Sequence, residues 1–185
     1  IWKGLVGSEM CIRDRCQGLC QFKKSVYEFK APMSPDRAAA LENRSIDLQP
    51  ILRAADDFQE GEWTLIEGAG GLMVPLNKDS LMIDLIQSLG WPLVLVASTG
   101  LGTINHTLLS VEAIKRRKIP FLGIVLNGKK DEGLKEILEE KSKSPVLFEV
   151  PFFHEPSSRA IQEWVGLNSP MFDSLFAEKR EERLR

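Results

Sequence analysis

Thr64-Leu65-Ile66-Glu67-Gly68-Ala69-Gly70-Gly71 runs three apolar or β-branched residues into a single acid and then into four of the smallest side chains. The pattern predicts a buried parallel strand over 63–67 that ends in a carboxylate and hands over to a bare backbone turn. In an open α/β sheet, ligands bind beyond the carboxyl ends of the strands. A glycine-rich turn there lets backbone N–H groups approach phosphate oxygens. A carboxylate beside the turn suits Mg²⁺, which joins one or two protein oxygens to phosphates. A tight turn whose glycines serve only positive φ reads equally well from these residues alone.

Working outward, the chain alternates regularly. Helices are predicted over Leu81–Leu89 (capped by Asp79 or Ser80 and ended by Gly90), Thr103–Arg117 (stopped before Pro120), Asp131–Lys141 and Ser157–Val165. Strands are predicted over Pro92–Ser98, Phe121–Leu126 and Val146–Val150, the last stopped by Pro151. Apolar strands separated by helices predict an α/β fold with a parallel sheet, buried on both faces and joined by right-handed crossovers. Upstream, Ser34-Pro35-Asp36 reads as a helix start. Leu48, Ile51, Leu52, Ala55 and Phe58 form one face of a helix over Asp47–Phe58, and Val26–Phe29 reads as a short strand. Glu178–Arg185 reads as a solvated helical tail.

Composition narrows the classes. The chain has 185 residues, 43% hydrophobic and 27% charged, with a net charge of −2. That is enough for one α/β core, with no basic field for nucleic acid and no apolar run of membrane-spanning length. Cys11, Cys16 and Cys20 have neither zinc-site spacing nor a nearby histidine. A chain otherwise without cysteine fits a reducing cytoplasm. Gly4–Arg15 matches, in one reading frame, the translation of a transposon-based sequencing adapter, so residues 1–15 are expected to be non-native. Residues 16–185 are then a single, partial α/β nucleotide-binding domain.

Unusual residues follow successive strands. After Ser98 come Thr99-Gly100-Leu101-Gly102-Thr103-Ile104-Asn105-His106. Two glycines beside a helix start offer N–H donors to an anion, and Thr103 as a plain N-cap explains the same pattern. Asn127 presents the donor–acceptor pair that an adenine edge needs; an Asn-Gly turn is the simpler reading. Pro151-Phe152-Phe153 offers rings that stack on a base or fill the core. His106 is expected to be packed and hydrogen-bonded, and His154 is uninformative.

Here a resemblance enters. Glu67-Gly68-Ala69-Gly70-Gly71 with Pro75-Leu76, and Gly100-Leu101-Gly102-Thr103-Ile104-Asn105-His106-Thr107-Leu108-Leu109, resemble the two signatures of the dethiobiotin synthetase family. Asn127, Glu149-Val150-Pro151 and Ser34-Pro35 match in order and spacing, so the resemblance covers about residues 25–165. It implies a P-loop NTPase-like fold that closes the ureido ring of dethiobiotin, in biotin biosynthesis, from 7,8-diaminononanoate, carbon dioxide or bicarbonate, and ATP with Mg²⁺. It implies Glu67 as the Mg²⁺ ligand. Glu67, Gly68, Ala69, Gly70, Asn127, Gly128, Pro151, Phe152 and Phe153 would contact ATP. Leu101, Gly102, Thr103, Ile104 and Asn105 would receive the substrate carboxylate across a homodimer interface. Such phosphoryl transfer rests on positioning and charge neutralisation.

The family's P-loop, catalytic lysine, substrate serine and metal-binding aspartate have no counterpart here. They are expected upstream of Cys16, so the fold would lack its N-terminal βαβ portion and the chain as written is expected to be inactive. For the family's glutamate after the last proline, Ser158 holds the ungapped position and Glu155 is the nearest acid. Two other readings stand beside this one. A cobyrinate-type amidotransferase relative would need a glutaminase domain with a catalytic cysteine and histidine. A non-catalytic ATPase scaffold of the partitioning type would favour an amphipathic membrane-targeting tail.

Overall fold

Three parallel strands, β1 (Leu93–Ser98), β2 (Phe121–Gly128) and β3 (Val146–Pro151), form a sheet in the order β1-β2-β3. The structure, a computed structural model, describes residues 25–56 and 64–170. Phe58, the three cysteines, residues 1–15 and the Glu178–Arg185 tail lie outside them. In chain order the helices are α1 (Pro35–Leu41), α2 (Leu48–Asp56), α3 (Met82–Leu89), α4 (Thr103–Arg116), α5 (Leu134–Ser142) and α6 (Ser158–Leu167).

The sequence explains the crossovers. Leu93-Val-Leu-Val-Ala and Ile124-Val-Leu are apolar runs too short for helices and rich in β-branched residues. Val111 and Leu108 of α4, between β1 and β2, and Leu134 and Leu138 of α5, between β2 and β3, recur at helical spacing. All four pack on the sheet face made by Ala97, Ile124 and Leu126. Ile124 and Leu138 are fully buried there, and each such side chain stabilises the fold by roughly 1.5–3 kcal/mol. A second cluster joins α1, α2 and α3 through Ala38, Ala39, Ile51, Met82 and Leu85. A third links Ile83 of α3 to Ile114 and Ile119.

Lys115 ties the crossovers together. Its ammonium donates to the Ser142 carbonyl at 2.6 Å and the Lys143 carbonyl at 3.2 Å, satisfying the open C-terminal end of α5. At the start of α3, the Asp84 carboxylate accepts from the Leu81 N–H at 2.8 Å and pairs with Arg117 at 3.3 Å. Leu81 is therefore the N-cap, not Asp79 or Ser80; Gly90 ends the helix at φ +66, as expected. Asp79 and Ser80 lie in the turn before it, where the Ser80 carbonyl accepts from Leu76 and Asn77.

Several expectations are corrected. Residues 64–68 form no strand, and Leu65 is 95% exposed. A strand exists only where a neighbour takes its backbone bonds, and among the described residues none does so here. Val26–Phe29 is no strand either. It is held by side chains instead: the Tyr27 hydroxyl donates to the Asp47 carbonyl, and Arg44 lies over the stacked Tyr27 and Phe29 rings. β1 is not buried on both faces, since Val94 and Val96 are 37% and 62% exposed opposite α4 and α5. Pro151 ends inside β3, not before it; among the described residues β3 is an edge strand, where proline costs no ladder bond on its outer side. Helix α5 begins at Leu134 after Gly133, not at Asp131.

Candidate functional site

The carboxyl ends of β2 and β3 open into a cavity of about 440 Å³. Parallel register sets Asn127 beside Ser98 and Val150, and Gly128 beside Pro151. Side chains alternate along a strand. Leu126 and Gly128 therefore look into the cavity, whereas Asn127 belongs to the opposite face, is exposed, and is not a cavity wall. Leu126, Leu134 and Val150 make apolar walls. Phe152 and His154 meet edge to face, with centroids 5.1 Å apart, and Trp164 of α6 adds a third ring. Lys129, Lys130, Asp131 and Glu149 supply charge. A flat heteroaromatic ligand with polar edges suits such a lining.

The structure thus brings together Gly128, Pro151 and Phe152 of the residues expected at a nucleotide. Asn127 lies one residue away on the other face, and Phe153 is half-buried outside the cavity lining. The acids in the cavity are Asp131 and Glu149; neither Glu155 nor Ser158 lines it. His154, uninformative in sequence, is a wall. His106, expected to be packed, is exposed, and none of the described residues hydrogen-bonds its ring. Lys129, Lys130 and Trp164 escaped sequence reasoning. A lysine pair after an Asn-Gly step looks like solvent-facing charge, and only the fold carries α6 back over β3.

The second element is the β1–α4 loop. Gly102 adopts φ +88 and is the N-cap of α4, so Thr103 is the first helical residue, not the cap. Its hydroxyl donates to the Ser98 carbonyl and lies 3.4 Å from the Thr107 hydroxyl. Thr103 and Thr107 are both buried. The Thr103 and His106 N–H groups go to the Gly100 and Gly102 carbonyls. Helical geometry leaves the Ile104 and Asn105 N–H groups at the open end. Thr103 therefore shapes the loop with its side chain and has no free hydroxyl to offer an anion. Leu101 is fully exposed at the loop tip.

The third element is the glycine turn. Gly70 takes φ +82, and a Cβ on Gly68 would lie 3.3 Å from the Met82 sulfur. The turn rests on the start of α3, with Ala69 against the core cluster of α1, α2 and α3. Glu67 is exposed. Among the described residues no three metal-binding side chains gather, which excludes an all-protein cage there. One free carboxylate before a bare backbone fits Mg²⁺, which takes few protein oxygens and fills its shell with water and phosphate. The spacing Gly123-x₄-Gly128-Lys129 imitates the start of a phosphate loop, but Gly123 to Gly128 lie in β2 and their backbone groups face a sheet ladder.

Residues 20–159 match the family model described as an AAA domain. The chain is 44% identical over 148 residues to the ATP-dependent dethiobiotin synthetase BioD of Paramagnetospirillum magneticum, covering 80% of this chain and 69% of that protein. It is 40% identical over 151 residues to the biotin biosynthesis bifunctional protein BioCD of Bordetella avium, covering 82% of this chain and 31% of that protein. It is 38% identical over 129 residues to the dethiobiotin synthetase of Lawsonia intracellularis, covering 70% and 61%. The chain spans between about a third and about two thirds of the length of these relatives.

Proposed function

Since this chain belongs to the dethiobiotin synthetase family, we propose that it serves the ATP-dependent closure of the ureido ring of dethiobiotin in biotin biosynthesis. The substrates are 7,8-diaminononanoate and carbon dioxide or bicarbonate. One amine takes up the carbon as a carbamate, ATP phosphorylates the carbamate oxygen, and the second amine displaces phosphate to close the ring. The observation that supports this most is the cavity at the ends of β2 and β3, lined by Gly128, Pro151 and Phe152 and adjoining the Gly100–His106 loop through Thr99.

In this reading the adenine lies against Phe152 and extends past the ends of the strands, so that the Asn127 amide meets its edge from the opposite sheet face, with Pro151 and Phe153 bounding it. The Gly68–Gly70 backbone faces the phosphates. Glu67 would hold Mg²⁺, which supplies charge neutralisation at the phosphates. The N-terminal end of α4, from Leu101 to Asn105, receives the substrate carboxylate by its free N–H groups. Leu101, Leu109 and Ile104 are exposed around it, which favours a second copy of the chain there and hence a homodimer. No helix among the described residues is long and apolar enough to cross a membrane. The 185 residues contain no complete phosphate loop with its lysine followed by serine or threonine. The chain alone is therefore expected to bind nucleotide weakly and to close no ring.

The base-reading role is tested by calorimetry with ADP and GDP. Asn127→Ala should narrow the preference for ADP, since an unpaired base edge costs about 1–3 kcal/mol. An unchanged ADP-to-GDP ratio removes Asn127 from the adenine.

A further inference from the structure

Thr99 stands where the β1–α4 loop meets the cavity. It is half-buried, it lines the cavity, and no described residue hydrogen-bonds its hydroxyl. Gly128 across from it has φ +149. A Cβ built there would fall on the Thr99 hydroxyl oxygen and lie 3.4 Å from the Thr99 Cβ. The place that a side chain of β2 would fill at the cavity floor is thus filled by Thr99. The cavity that Thr99 lines has apolar and aromatic walls, Val150 and Phe152 among them, beside the charged Lys129, Lys130, Asp131 and Glu149. A hydroxyl with one donor and two acceptor positions, unpaired by protein in such surroundings, is completed by a polar ligand edge or by water.

We infer that Thr99 is a ligand-binding residue of this cavity, its hydroxyl meeting the heteroatom edge of a nucleobase that lies against Phe152, and that Gly128 is glycine to admit it. The inference rests on the nucleotide reading of the cavity. A hydroxyl both donates and accepts, so Thr99 strengthens the binding of adenine and guanine alike and does not choose between them. That separates its role from the one proposed for Asn127.

The test is a titration of the ¹⁵N-labelled chain with ADP and with GDP to millimolar concentration, following the Thr99, Gly128 and Lys129 amides by NMR. Thr99→Val keeps the volume and removes the hydroxyl, and Thr99→Ser keeps the hydroxyl. Thermal unfolding of each variant is measured beside it. The expected result is that Thr99→Val weakens both nucleotides about fivefold, the effect of one hydrogen bond, that Thr99→Ser recovers most of the loss, and that unfolding of Thr99→Val stays near the parent. Parent-like affinity in Thr99→Val, with shifts still centred on Gly128 and Lys129, overturns the Thr99 inference and leaves the nucleotide reading standing. A parent chain whose cavity amides do not move with either nucleotide overturns both.

Discussion

Gly123→Ala tests how the sheet under the cavity is held. Gly123 has φ +149 in β2, the central strand, just before the register break at Ile124. An added Cβ would sit 2.6 Å from the Pro145 carbonyl oxygen and 2.9 and 3.0 Å from the Leu147 Cγ and Cδ2. Leucine can change rotamer, but the carbonyl belongs to the backbone and accepts the Ile124 N–H at 2.9 Å. Overpacking of this kind costs about 1–3 kcal/mol, and a Cβ at positive φ adds about 1–2 kcal/mol. The expected loss is about 3 kcal/mol, or a melting shift of roughly 6–12 °C at this chain length. Gly133→Ala is the internal control. Its φ is +87, yet a Cβ there meets nothing within 4 Å, so only the backbone strain remains, about 1 kcal/mol. Urea unfolding followed by circular dichroism compares the two. A Gly123→Ala loss within 1 kcal/mol of the Gly133→Ala loss would refute the steric argument.

Lys115→Met should destabilise the chain by about 1.5–3 kcal/mol, since two carbonyls at the end of α5 lose a charged donor; urea unfolding reads it, and a loss under 0.5 kcal/mol would deny the capping role. The Lys30 N–H, then Arg44, hold the Glu42 carboxyl below its ordinary value of 4.5. A depressed carboxyl stabilises the fold above its unfolded pKa, and the benefit is lost as pH falls through the folded value. Stability should therefore decline below about pH 4.5, less steeply in Glu42→Gln; identical acid limbs would contradict this. In a chimera joining the chain to the part of the Paramagnetospirillum relative outside the matched region, Glu67→Gln should cut turnover at limiting Mg²⁺ at least tenfold with unfolding unchanged, and parent turnover would remove Glu67 from the metal.

The alternation of the chain was legible because each crossover carries its own punctuation. Gly90, Pro120 and the Ser157 cap mark ends that coincide with the observed ones within a residue or two. The strand over 63–67 was not, because Leu65 and Ile66 carry strand propensity whether or not a neighbour exists to pair with them. The caps were misread for a similar reason. Ser80 and Thr103 are good cap residues by type, but Asp84 reaches back to Leu81 and Gly102 supplies the left-handed turn, so tertiary geometry reassigns both. Of the residues expected at a nucleotide, Gly128, Pro151 and Phe152 line the cavity because they stand at or just past the ends of β2 and β3. Thr99, Lys129 and Trp164 line it too and carried no signal in the sequence, since membership of a cavity depends on which strand face a residue takes and on where α6 returns.

The most direct test of the ring-closing assignment is carbon tracing in the same chimera, supplied with 7,8-diaminononanoate, ATP, Mg²⁺ and ¹³C-bicarbonate. The assignment predicts dethiobiotin labelled at the ureido carbonyl, formed in equal amount to ADP and lost when diamine or ATP is withheld. ADP released without labelled dethiobiotin would contradict it.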